Sequence, residues 1–321
     1  MGQMLTPTSQ EQPPKPELTP ADALAAIGRG TFATHELTPL SDLSRADVAL
    51  FHRAWPQFPV ESREAVVRGL AELAESDVRY QFGRALRVAL DDPSSAIRQR
   101  AIAALWEDEG SDLIETLLTL TERDPSQDVR AEAAQGLGRF AERAAADEFD
   151  VGIADRLRKT LLGLADDPVS PYIVRRRALE SVAVFGPEAG IVDLIRDAYD
   201  ADDAGMKAAA LYAMGRSLDL GWLDAVLHEF DSPDSEMRYE SARASGELGS
   251  DRAVIGLIEL ASDEDAEVRQ AAIGALGKIG GATAVQALRR LAKTASTVDT
   301  EAIEEALDEA LLVSDAMRRR S

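Results

Sequence analysis

Three histidines and three runs of carboxylates are the places where this sequence gathers groups able to hold a metal ion or move a proton. His35 precedes Glu36 and His228 precedes Glu229, while His52 stands apart from any acidic neighbour. Helical spacing puts His52 on one face with Val48, Phe51 and Trp55, so it is expected to pack, wholly or in part, rather than to bind a ligand. Acidic runs occur at Asp147-Glu148-Asp150, Asp200-Asp202-Asp203 and Asp263-Glu264-Asp265. None has the alternating carboxylates and central Gly that wrap a chain around calcium, so solvated turns capping the next helix are expected. There is no cysteine, which removes disulfides, thiolate metal sites and cysteine nucleophiles. No Gly-rich strand-to-helix loop, Gly-x-Ser-x-Gly elbow or phosphate cradle is present. Catalysis would rest on carboxylates alone, and the sequence singles out none. The expectation is a protein that is not an enzyme, with no catalytic residue, no metal and no cofactor.

The elements that carry these residues are helical. Of the 321 residues, 45% are hydrophobic but only 5% aromatic, so the core must come from Ala, Leu, Ile and Val. Small aliphatics suit closely packed helices, and apolar spacing of about 3.6 residues recurs almost end to end. That reads as all-α. Net charge is −22, from 57 acidic and 35 basic residues. A surface this acidic repels phosphate backbones, which argues against nucleic-acid and anionic-membrane partners. No apolar run reaches the roughly 18 residues of a membrane span, and the N-terminus lacks the basic and apolar regions of a secretion signal. A cytoplasmic location is expected.

Residues 1–18 carry Pro7, Pro13, Pro14 and Pro16 among polar neighbours and read as a disordered leader. Residues 19–43 read as a short helical extension, with Thr19 capping a helix that starts at Pro20 and stops near Gly28. Residues 44–315 repeat themselves, and residues 316–321 form a basic tail. Asp92-Pro-Ser-Ser-Ala-Ile97-Arg98, Asp124-Pro-Ser-Gln-Asp-Val129-Arg130 and Asp263-Glu-Asp-Ala-Glu-Val268-Arg269 share one design. Each is an acidic turn with Arg six residues after the first Asp, followed by an Ala- and Leu-rich helix. With the basic residue as anchor, the units fall at Arg63, Arg98, Arg130, Arg175, Lys207, Arg238, Arg269 and Glu304. The spacings are 35, 32, 45, 32, 31, 31 and 35 residues, and the long step holds about 13 extra residues near 144–151 and 167–173.

Seven residues after each anchor stand Leu70, Leu105, Leu137, Val182, Met214, Ser245, Leu276 and Leu311, an apolar column broken only at Ser245. Three after it, Ala101, Ala133, Ala178, Ala210 and Ala272 recur, small enough for neighbouring helices to approach closely. Gly138, Gly215, Gly246 and Gly277 follow the apolar column and are expected close to where each helix tightens or ends.

The pattern D-P-x-x-x-[VI]-R-x-x-A-x-x-A-L-G around Ile97, Val129 and Val268 resembles the HEAT-like repeat family, armadillo-type arrays that include the short units of phycobilin lyases. The resemblance covers roughly residues 44–315 and implies a right-handed α-solenoid of about eight antiparallel helix pairs. The family includes scaffolds, lyases, glycosylases and a metal-dependent hydroxylase, so the resemblance fixes fold and not function. Deoxyhypusine hydroxylases of this kind hold iron with four His-Glu pairs. Only two pairs exist here, His228 at the end of a first helix and His35 in a loop, which argues against iron.

The anchor arginines lie on the inward face just after an acidic turn, and are expected to form a structural ladder with turn carboxylates and carbonyls. The opposite face is more informative. At about 100° per residue, positions 1, 2, 5 and 9 after each anchor share the outward side of the second helix of each pair. The resemblance makes that side the concave one. It holds eight basic residues, including Arg100, Arg139, Arg176, Arg177, Arg216 and Arg243, against nine acidic ones. It is therefore near neutral on a chain of −22, and Tyr212 and Tyr239 join it in adjacent units. Arg and Tyr together are what protein-recognition surfaces use. The expected function is a protein-binding scaffold or adaptor, with Arg100, Arg139, Arg176, Arg177, Tyr212, Arg216, Tyr239 and Arg243 contacting an acidic or mixed-charge protein or peptide. The alternatives are a lyase- or DNA-glycosylase-like enzyme and a structural, self-assembling module.

Overall fold

The computed structural model describes residues 18–293 and 297–320, and every regular element among them is helical. The leader expected over residues 1–18 lies, except for Leu18, outside the described residues. The chain divides into two compact units, one ending at Asp108 and the other beginning at Glu109. The repeats read from the sequence occupy both.

The first unit holds α1 (Pro20–Gly28), α2 (Arg45–Ala54), α3 (Val60–Ser76), α4 (Gly83–Val88) and α5 (Ser95–Ala104). Thr19 caps α1: its side chain accepts from the Asp22 amide, and the Asp22 carboxylate accepts from the Thr19 amide at 2.9 Å. Two donors that a helix start leaves open are thereby satisfied. α2 and α3 form the first helix pair and α4 and α5 the second, with α2 packed against α4 and α3 against α5. Phe51, Trp55 and Phe58 are buried at the first pair, with the Phe51 and Trp55 rings 5.3 Å apart. His52 does not join them as expected; it is exposed, beside Arg45 and Val48 at a shallow hollow. Residues four apart share a helix face, so Phe51 and Trp55 take the buried stripe and leave His52 about 100° round the axis.

The second unit is six helix pairs. They are α6 (Ser111–Arg123) with α7 (Gln127–Ala145), α8 (Val151–Asp166) with α9 (Tyr172–Val182), and α10 (Ala189–Tyr199) with α11 (Ala204–Arg216). Then come α12 (Leu223–His228) with α13 (Ser235–Leu248), α14 (Val254–Leu260) with α15 (Ala266–Ile279), and α16 (Gly281–Leu291) with α17 (Thr297–Arg320). Successive second helices, from α7 through α9, α11, α13 and α15 to α17, pack side by side. Residues 146–150 and 167–171, within the stretches expected to hold the insertion, are turns, but most of the added length is helix: α7 runs on to Ala145, and α8 has 16 residues against 11 in α10. α17 continues to Arg320, so the basic tail expected from residue 316 extends a helix that far.

The first Asp of each turn explains the Asp-to-Arg spacing. Asp92 is buried and its carboxylate takes Trp55 Nε1 at 2.7 Å, the Ser94 amide at 2.8 Å and, from the preceding pair, Arg63 Nε at 2.7 Å. Its carbonyl accepts from Arg98, the anchor of its own helix, at 2.7 Å. Asp263 repeats the arrangement, gripping Arg238 of the preceding pair at 2.7 and 2.9 Å and accepting the Asp265 amide at 2.9 Å. Its carbonyl takes Arg269 at 3.0 Å. Each such arginine therefore ties one turn to the next with charge-assisted bonds, as the ladder reading expects.

Gly215, Gly246 and Gly277 lie in the last turn of α11, α13 and α15, close to the helix ends as expected, whereas Gly138 is well inside α7 because that helix runs on. All four also stand at closest approaches between neighbours. A Cβ on Gly215 would stand 2.7 Å from Ala244 Cα, on Gly246 2.9 Å from Ala275 Cα, and on Gly277 3.0 Å from Ala306 Cα. On Gly138 it would meet Ser181 Oγ at 3.0 Å. In the first three of these contacts and at Ser181 alike, a small residue faces the glycine: Ala244, Ala275, Ala306 or Ser181. Ser181, Ala244 and Ala275 stand six residues after their anchors, so Ala306 places the eighth anchor at Thr300 rather than Glu304. Burial agrees: Ile303, Ala306 and Ala310 are buried, whereas Leu311, assigned to the apolar column, is 38% exposed. Thr300 carries no charge to mark the position, and a slip of four residues nearly preserves the helix face. Ser245, the break in that column, is fully buried, and among the described residues its hydroxyl has no hydrogen-bond partner.

Candidate functional site

The second helices place most of the arginines singled out above around one hollow. Arg139 on α7, Arg176 and Arg177 on α9, Tyr212 and Arg216 on α11 and Arg243 on α13 line a pocket of about 410 Å³. Its lining sets five arginines against three glutamates, Glu142, Glu180 and Glu240. The hollow exists because the residue after the anchor is Arg176 in α9 and Tyr239 in α13, but only Ala208 in α11 between them. A missing side chain opens the floor.

Tyr239 lines the next hollow along, which it shares with Arg243. Arg100 is exposed on α5 in the first unit and is not among the residues of either hollow. Sequence reasoning left Glu142 off the exposed face. It stands 12 residues after Arg130, which at about 100° per residue is the same face as positions 5 and 9. The signal was present, but it counts only if α7 continues to Ala145, which the length of the other repeats did not suggest.

The charged groups are bridged across repeats. Arg216 of α11 pairs with Glu142 of α7, passing over α9, and Arg176 of α9 reaches to 3.8 Å from Glu236 of α13, passing over α11. Helices packed about 8–10 Å apart put such partners within reach only on the inside of a curve. This face of the second unit is therefore concave. Within it, Glu180 accepts from Arg176 at 3.1 Å and from Arg177 at 2.7 Å. The Arg243 guanidinium lies 5.2 Å from the Tyr212 ring centroid and 5.6 Å from that of Tyr239, within cation–π range of both. Burial pushes the Glu240 carboxyl up to about 7, with Arg243 opposing the shift and Glu180 and Glu236 adding to it. Burial also raises the Tyr212 hydroxyl above its usual value.

The histidines and acidic turns are accounted for by structure. Glu229 is buried and bound by Lys207 at 2.8 Å and the Tyr199 hydroxyl at 2.6 Å, while its neighbour His228 is exposed. Glu36 caps the Ala33 amide at 2.8 Å, and His35 is exposed. Asp150, Asp203 and Asp265 cap α8, α11 and α15. Among the described residues no group of His, Asp or Glu side chains is arranged to hold a metal ion, and no helix is long and apolar enough to cross a membrane.

With helix pairs, turn ladder and close glycine contacts in place, the family follows. The profile of HEAT repeats matches residues 83–156 and 223–308. The chain is a HEAT-repeat protein. Its HEAT profile resumes at α12, and the unmatched residues 157–222 supply Arg176, Arg177, Tyr212 and Arg216 of the hollow. No curated protein matches the chain. Among solved structures, this HEAT protein is similar to the complex of CpcE and CpcF of phycocyanin lyase from Nostoc sp. PCC7120, at 18% identity and a TM-score of 0.49, over 95% of this chain and 100% of that one. Human deoxyhypusine hydroxylase in complex with glycerol is similar at 19% identity and a TM-score of 0.36, over 83% of this chain and 96% of that one. Importin beta is similar at 15% identity and a TM-score of 0.47, over 89% of this chain and 44% of that one.

Proposed function

We propose that this HEAT-repeat protein is a non-catalytic, cytoplasmic scaffold or adaptor that holds an acidic or mixed-charge protein segment on the concave face of α7, α9, α11 and α13. One observation carries the reading: five arginines converge with Tyr212 on a single hollow of a chain whose net charge is −22. Elsewhere the acid excess repels anionic partners; here an anionic side chain meets guanidinium forks and an aromatic wall. The reading requires no cofactor, nucleic acid or membrane.

The test compares partner capture from the source organism by the wild type and by Arg177→Glu with Tyr212→Ala. Capture should weaken at least about tenfold, or about 1.4 kcal/mol. Tyr212 is half-buried, so Arg177→Glu with Arg243→Glu serves as a second pair that keeps the Tyr212 ring in place. Arg196→Glu on α10 is the control, since its side chain is 54% exposed. Tyr199 is unsuited to that control because its hydroxyl holds Glu229. Full retention by both double variants ends the reading.

Glu240 favours one rival. A carboxyl held near 7 among arginines is suited to acid–base catalysis, as an enzyme of this fold would need. A bilin that copurifies, or DNA binding that falls steeply with salt, would move the assignment to that class.

A further inference from the structure

The arginines around Ala208 are held but not used up. Among the described residues Arg177 bonds Glu180 through Nη1 alone, Arg216 bonds Glu142 through Nη2 alone, and Arg243 reaches Glu240 through Nη1 at 3.5 Å. A guanidinium carries five N–H donors in a rigid plane, so most of each fork stays open to water or to a ligand. These side chains are 25% to 44% exposed, which leaves the donors within reach from the concave face. They also approach from three helices: Arg177 from α9, Arg216 from α11 and Arg243 from α13.

Three carboxylates already line the hollow, and they limit what a fourth could gain. A carboxylate is flat, bears one charge and suits one guanidinium fork at a time. An incoming Glu or Asp offers these arginines what Glu142, Glu180 and Glu240 offer them already. A phosphate monoester bears about −1.5 to −2 at neutral pH and has three acceptor oxygens directed to different sides. It can take N–H groups from several helices at once. The lining sets five arginines against three glutamates, a formal +2, and Glu236 at its edge, 3.8 Å from Arg176, lowers that to +1. Burial holds the Glu240 carboxyl up to about 7, so near neutrality part of its charge is withdrawn and the hollow is more positive than the formal count. The depth of the hollow is the difference between an Arg and an Ala side chain, so a short stem brings a phosphate to the forks. A nucleic-acid strand offers phosphates too, but its charge extends along a molecule of −22 that repels it.

Resting on the scaffold reading, we infer that the bound segment presents phosphoserine or phosphothreonine to this hollow, where Arg177, Arg216 and Arg243 share the phosphate oxygens.

Fluorescence anisotropy on the full chain tests this at about pH 7.5, where the phosphate is close to a dianion. Short fluorescein-labelled peptides of one sequence carry phosphoserine, Glu or Ser at the centre. The phosphoserine peptide should bind at least about tenfold tighter than the Glu peptide, with the Ser peptide weakest. Arg177→Gln with Arg243→Gln should bring the phosphoserine peptide down to the level of the Glu peptide. Should that variant fail to fold, the three peptides on wild-type protein decide the matter. Competition separates the sources of phosphate: inorganic phosphate, or single-stranded DNA of the peptide's length, should displace the probe only at concentrations at least about tenfold above those of unlabelled phosphoserine peptide. Displacement by either at the peptide's own concentration overturns the inference, as does equal binding of the phosphoserine and Glu peptides or no binding at all. Partner capture that survives phosphatase treatment of the lysate also overturns it, and leaves the scaffold reading standing.

Discussion

Gly246 and Gly274 are both glycines inside helices, and Gly→Ala should move stability in opposite directions at the two sites. At Gly274 on α15 the added methyl enters open space. Helix propensity alone then acts, and Ala is favoured by about 0.5–1 kcal/mol. At Gly246 on α13 the same methyl would stand 2.9 Å from Ala275 Cα and 3.1 Å from Ala275 Cβ. The obstacle is backbone, so no rotamer change relieves it, and α15 must retreat by a few tenths of an ångström. Overpacking of this kind costs about 1–3 kcal/mol, which outweighs the gain in propensity. The net effect runs from about zero to 2 kcal/mol of destabilisation, and the two variants should differ by about 1–3 kcal/mol.

Stacked repeats pack mainly on their neighbours, so global melting is a blunt reading of such a change. Hydrogen exchange resolved by peptide is the better assay. Gly246→Ala should lose protection in α13 and α15 while α6 and α7 keep theirs, and Gly246→Leu should magnify the pattern. Equal stability of Gly246→Ala and Gly274→Ala would refute the reasoning. It would mean that contact between these helices does not set the repeat spacing.

Three further outcomes are expected. Ser245→Ala should stabilise the sixth helix pair of the array by about 1 kcal/mol in denaturant unfolding, since it removes a buried hydroxyl with no partner; a loss of stability would show that the hydroxyl is satisfied. Glu240 ionises at about 7 when folded, against an ordinary 4.5, so the folded chain holds a proton that the unfolded chain has released between those values. Stability should therefore fall as pH rises from about 4.5 to about 7, and Glu240→Gln should flatten that slope and be the more stable form at pH 8, by no more than about 3 kcal/mol. Hydrogen bonds from Arg238 hold the Asp263 carboxyl below its usual 3.8, so its contribution is complete above that value and fades as pH falls below it. Asp263→Asn should flatten the acid limb of the stability profile and cost about 1–3 kcal/mol near neutrality, measured by urea unfolding at a series of pH values.

Local chemistry recurring at a fixed period is legible in one dimension. The Asp-to-Arg turn, the buried Ala three residues after the anchor and the Thr19 cap all follow from which side chains can bond or fit within a few residues of themselves. The same arithmetic placed Arg139, Arg176, Arg177, Tyr212, Arg216 and Arg243 on one face, which the fold gathers around one hollow. What depended on partners distant in sequence was not legible. Gly215, Gly246 and Gly277 read as positions close to helix ends, which they are, but their contacts with Ala244, Ala275 and Ala306 do not show in the sequence. The eighth anchor slipped by a turn because only Gly277 across the interface marks Ala306, and through it Thr300. His52 shares a stripe with Val48 and Trp55 in projection, yet packing selected Phe51 and Trp55 for the core and left it outside. Glu142 and Glu240 became part of the hollow through the length of α7 and the curvature that brings α7, α9, α11 and α13 together. Burial, and with it the raised ionisation of Glu240, is a property of neighbours that the chain supplies from several helices at once. Period and spacing are set by covalent neighbours, whereas contact and desolvation are set by whatever the stacking of repeats brings alongside.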